Sequence, residues 1–74
     1  MDAEMRTLFY KLPNHGVSVS VNGNGIQAFH THMDVTKKVI MGIIKLEFGA
    51  GYTKMFTVTE VSSGRYTYCL IERA

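Results

Sequence analysis

The chain has a single cysteine, a single proline and no tryptophan among its 74 residues. One thiol, Cys69, excludes an internal disulfide as a staple. Its setting in Tyr68-Cys69-Leu70-Ile71 reads as a buried, inert thiol, which fits a reducing compartment. Long apolar runs are also missing. Val39-Ile40-Met41 is broken by Gly42 before Ile43-Ile44, whereas a bilayer span needs about 20 mostly apolar residues. The start, Met1-Asp2-Ala3-Glu4, is acidic where a secretory leader is basic. A cytoplasmic protein with no membrane role is therefore expected. Neither sign of charge dominates: eight Lys and Arg stand against six Asp and Glu, a net +2. That is mildly basic and far from a polybasic arm.

What is present describes a folded chain, with 46% hydrophobic and 19% charged residues. The length fits a single small domain, residues 1–74, and excludes a two-domain enzyme or an eight-stranded α/β barrel. A chain this short buries only about 60% of the surface its unfolded form exposes, so its core is thin.

Turn residues divide the chain. Asn22-Gly23-Asn24-Gly25 separates two apolar-patterned runs and predicts a type I′ hairpin, since Gly and Asn tolerate positive φ. Ser62-Ser63-Gly64 separates Met55–Val61 from Arg65–Ile71 in the same way, and Gly49-Ala50-Gly51 closes the central segment. Val17, Val19 and Val21 alternate with Ser18 and Ser20 as a half-buried strand, paired with residues Ile26 to Met33. Tyr52–Val61 and Arg65–Arg73 form a second hairpin rich in Thr, Val, Tyr and Phe. Arg6 to Leu12 reads as a first strand, followed by a loop at Pro13.

Residues Asp34 to Phe48 predict a helix, with Asp34 as N-cap and Gly49 just past the end. Val35, Val39, Ile43 and Leu46 then share a stripe, with Ile40, Ile44 and Phe48 beside it. The expected fold is α+β: an antiparallel sheet of about five strands, in the order strand, hairpin, helix, hairpin, with one helix on one face. A small all-β barrel is the fallback, because β-branched residues and Gly42 are poor helix formers.

Gly23-Asn24-Gly25-Ile26-Gln27-Ala28 has the spacing G-x-G-x-x-A of a dinucleotide fingerprint. The hairpin reading takes precedence, since no convincing helix follows and the chain is too short for the dinucleotide-binding fold. His30-Thr31-His32-Met33-Asp34 is the most chemically suggestive stretch. On a strand, His30 and His32 point to one face and could offer two imidazoles to a metal. The string resembles the H-x-H-x-D-H ligand motif of metallo-β-lactamase-like hydrolases and the H-x-H of amidohydrolases. The resemblance spans five residues, and Val35 stands where the former family's next His belongs. His15 and Asp34 are the remaining ligand candidates, but downstream ligand sets are lacking, so no metal or other cofactor is expected.

The scattered carboxylates Asp2, Glu4, Asp34, Glu47, Glu60 and Glu72 form no close pair, and no nucleophile has a partner base. An enzyme is not expected. A nucleic-acid-binding domain would draw on Lys37, Lys38, Lys45 and Arg65, with Tyr66 and Tyr68 as stacking platforms. The tyrosines are exposed if Cys69 and Ile71 face the core, and buried if Leu70 does. The preferred function is a non-enzymatic protein–protein interaction module. It would be a small adaptor or inhibitor docking on a larger protein or pairing with a second copy. Met33, Met41 and Met55 add adaptable apolar surface to such a module. Size and mild charge are shared with many phage and mobile-element inhibitors, an analogy of composition alone.

Overall fold

The structure, a computed structural model, describes residues 1–29 and 35–74. The chain begins with a helix, α1 (Ala3–Lys11), and not with a strand. The Asp2 side chain accepts the Met5 N–H at 2.8 Å, Glu4 lies in the first turn and Lys11 in the last, each suited to the helix dipole. Met5, Leu8 and Leu12 recur at three and four residues and are buried, a helical period that outweighs the strand-like Thr7-Leu8-Phe9-Tyr10. Pro13 opens a 3₁₀ turn over Leu12–His15, which Gly16 closes at φ +79°.

Two hairpins form at the expected turns; of the expected arm Ile26 to Met33, residues 30–33 lie outside the described residues. The strands β1 (Ser18–Asn22) and β2 (Gly25–Phe29) are joined by Gly23-Asn24. The strands β3 (Phe56–Ser63) and β4 (Tyr66–Arg73) are joined by Gly64-Arg65. In each turn only the first central residue has positive φ, +59° at Gly23 and +60° at Gly64, the sign pattern of type II′ and not of type I′. Gly25 serves a different need. A Cβ there would lie 2.6 Å from the Ile71 carbonyl, so its bareness lets β2 approach β4. β2 and β4 pair antiparallel, giving an open four-stranded sheet in the order β1-β2-β4-β3. The described residues thus contain four strands and not five, and β1 and β3 remain free edges where a barrel would close.

The central segment is the helix α2 (Lys37–Phe48), starting later than the expected Asp34. Thr36 is the N-cap, its hydroxyl accepting the Val39 N–H at 3.4 Å, while Asp34 lies outside the described residues. Glu60 on β3 accepts the Lys37 N–H at 2.7 Å, so a carboxylate faces the positive end of the helix. Gly49, at φ +84°, ends it by donating to the Lys45 carbonyl. A 3₁₀ turn over Ala50–Lys54 then delays β3 to Phe56, and Tyr52 to Lys54 are not strand.

Both helices cover one face of the sheet. Opposed residues of paired antiparallel strands share a face, so Val21–Ile26–Ile71–Val58 and Val19–Ala28–Cys69–Glu60 run as rows beneath the helices. Ile26, Ala28, Cys69, Ile71, Phe56 and Val58 pack there against Met5, Leu8, Leu12, Val35, Ile40 and Ile44. The expected stripe is displaced: α2 buries Ile40 and Ile44, while Val39 and Leu46 are 51% and 74% exposed. An apolar arc this wide cannot all meet one small sheet. Among the described residues, no helix is long and apolar enough to cross a membrane.

Candidate interaction surfaces

The parity that buries Cys69 and Ile71 turns Tyr66, Tyr68 and Leu70 to the other side of the sheet, which neither helix covers. Three rows cross this open face. Ser18 opposes Phe29; Phe29, one residue past the Ala28–Cys69 pair, lies level with Tyr68; and Tyr68 opposes Val61. The next row is Ser20–Gln27–Leu70–Thr59, with Asn22–Gly25 and Glu72–Thr57 beyond it. On the other side of the Tyr68 row, Tyr66 opposes Ser63. Phe29, Tyr68, Leu70 and Val61 are half-buried by their neighbours, and Tyr66 is 73% exposed.

Charge is confined to the ends of this face. Glu72 terminates it at one end of β4, and Arg65 stands in the turn at the other. Between them, among the described residues, lie uncharged side chains: Phe29, Tyr66, Tyr68, Val61 and Leu70, flanked by Ser and Thr hydroxyls and the amides of Asn22 and Gln27. A solvated sheet face is normally polar throughout, so the contiguous cluster of Phe29, Tyr68, Val61, Leu70 and Tyr66 marks a surface suited to contact.

The residues proposed for nucleic acid are divided by this geometry. Tyr66 and Tyr68 are on the open face with Arg65 at its end, whereas Lys37, Lys38 and Lys45 are exposed on α2, across the sheet. No strand brings the two sets together. Helical geometry places Val39, Gly42 and Leu46 on a second uncovered ridge, with Lys38 and Lys45 along one flank and Ile43, half-buried against the core, along the other. The helix is apolar on two adjacent stripes, an arc broader than one small sheet covers, and the sequence alone does not choose which stripe is surface.

The histidine string gives no ligand set to describe, since residues 30–34, with His30 and His32, lie outside the described residues. His15 is already engaged: its Nε2 is 3.0 Å from Glu47 Oε1, and Lys11 Nζ is 3.9 Å from Glu47 Oε2. Among the described residues no group of His, Cys, Asp and Glu could hold a metal ion. Cys69 is equally unsuited to attack. Burial first, and the Glu60 carboxylate second, push its thiol up to about 11, with Lys37 opposing.

A polar groove of about 600 Å³ lies beside the first hairpin turn, lined by Met1, Asp2, Asn24, Gly25, Glu72 and Arg73 among others. Its cation is spoken for: Arg73 donates to Glu4 at 2.7 Å and lies 3.7 Å from Asp2. These contacts fasten the start of α1 to the end of β4, and Glu72, which also lines the groove, stands outside these ion pairs. No family model matches the chain, and no curated protein or solved structure is similar to it.

Proposed function

We propose that the protein is a non-enzymatic interaction module, a small adaptor or inhibitor whose docking surface is the open face of the sheet. The observation that carries this reading is the uncharged aromatic row Phe29–Tyr68–Val61, with Tyr66 and Leu70 beside it, on a face with no helix over it. Tyrosines half-wetted in this way supply large contact area at little entropic cost, and buried phenol hydroxyls find partners readily. The matching surface is protein: apolar at its centre, with hydrogen-bonding groups for the Ser and Thr hydroxyls at the rim. Phosphate backbones demand cations, and among the described residues this face has only Arg65 at its end.

A nucleic-acid role draws support from one feature, the exposed Tyr66 beside Tyr68 and Arg65, which could stack on unpaired bases. One experiment separates the two readings. Affinity capture from the native cytoplasm is run with and without nuclease, using the wild-type chain, Tyr66→Ala/Tyr68→Ala and Lys37→Glu/Lys38→Glu. The module retains a protein partner, a second copy included, through nuclease treatment and lysine reversal, and loses it with the tyrosines. Capture that vanishes with nuclease or with the lysines overturns the module in favour of nucleic acid.

A further inference from the structure

We propose that the open face pairs with the open face of a second copy, about a two-fold axis running along the Ser18–Phe29–Tyr68–Val61 row. This rests on the reading of that face as a docking surface, and it names the partner. The argument is self-complementarity. A two-fold axis along a row of the sheet sets each strand antiparallel over its own copy, so residues equidistant from the row meet. Phe29, Tyr68 and Val61 then meet their own counterparts, and aromatic and aliphatic side chains tolerate like against like.

On either side of the axis the two halves of β4 complement each other. Tyr66 lies over Leu70 of the second copy, and Leu70 over Tyr66. Four residues from the axis, about 14 Å along the strand, Glu72 comes over the turn that holds Arg65. Sheets stacked face to face cross at about 30°, which offsets these ends sideways by about 7 Å, a gap the two long side chains together span. Among the described residues, the one cation and the one carboxylate at the ends of this face are therefore brought together twice, once at each end of the dimer. The Lys38–Lys45 flank of α2 stays remote, on the other side of the sheet.

The area sets the strength of the pairing. Four strands about 4.8 Å apart and about 20 Å long present roughly 400 Å² per copy in projection. A specific, stable interface buries about 800 Å² per partner, and a permanent one more. The pair is thus a reversible dimer that a higher-affinity protein can displace from the same face.

Sedimentation equilibrium on the intact chain, from about 10 µM to 1 mM, tests this. The wild-type protein moves from monomer to dimer across that range. Arg65→Glu and Glu72→Arg each lower the dimerisation constant about tenfold, and Arg65→Glu/Glu72→Arg restores it to within about threefold. Tyr68→Arg abolishes the dimer while circular dichroism shows the fold intact. A wild-type chain monomeric throughout, or single reversals that neither weaken the dimer nor compensate each other, overturns the proposal. If that monomer still captures a protein through Tyr66 and Tyr68, self-pairing fails alone. If the tyrosines matter in neither experiment, the docking face fails with it.

Discussion

Cys69 shows how far a single residue can be followed from its neighbours in sequence. Leu70 and Ile71 already point to an apolar setting, and the thiol is fully buried, donating to the Val35 carbonyl at 3.4 Å. Its titration follows from that place. In the unfolded chain the thiol ionises near its ordinary 9.0, and in the folded chain near about 11. Between those values the folded state holds a proton the unfolded state has released, so stability present below pH 9 declines as pH rises through the window. Thermal melts of wild type and Cys69→Ala at pH 8 and pH 10.5 test this: the wild-type melting temperature falls more steeply than the variant's. Parallel declines would mean that the thiol contributes nothing to the pH dependence. Tyr68, its chain neighbour, shows the opposite limit. Both faces of β4 carry apolar residues, so alternation alone cannot choose which is core; the Ile26–Ile71 and Ile71–Val58 pairings choose it.

At the scale of elements, the hairpins were the most legible part, because glycine marks each turn and alternation marks each arm. The turn type differs, since Asn24 and Arg65 keep negative φ, and β3 starts at Phe56 and not at Tyr52. The first helix was hidden by its own composition: Thr7, Leu8, Phe9 and Tyr10 suit a strand locally, while the deciding contacts, Met5 and Leu8 against the sheet, are distant in sequence. The start of α2 was misplaced for a related reason. Asp34 and Thr36 are both good caps, and the choice falls to Thr36 because Glu60 receives the free Lys37 N–H. That cross-strand carboxylate stabilises the helix from outside its own sequence. Glu60→Ala is expected to lower unfolding stability by about 1 kcal/mol, with Glu60→Gln intermediate, in urea titrations followed by circular dichroism. A Glu60→Ala midpoint equal to wild type would show that water replaces the cap at no cost.

For the whole molecule, the consequence of a one-sided core is a sharp division between residues that hold the fold and residues that do not. The lysines and tyrosines grouped by sequence as one surface are separated by the thickness of that core, which no spacing in the chain encodes. A domain of this length has a stability of about 4–11 kcal/mol. Ile71 is fully buried at the centre of the sheet, between Ile26 and Val58, and faces both helices' side of the core. Removing its side chain to alanine costs about 2–5 kcal/mol, much or all of that reserve. Leu46 is equally apolar and sits in the last turn of the central apolar helix, yet it is 74% exposed. Leu46→Gln should therefore shift the denaturant midpoint by less than the equivalent of about 0.5 kcal/mol. Sequence hydrophobicity ranks the two positions together, and the one-sided packing separates them. If Leu46→Gln instead destabilises the chain as Ile71→Ala does, the helix is seated on its other stripe and the α2 ridge is core.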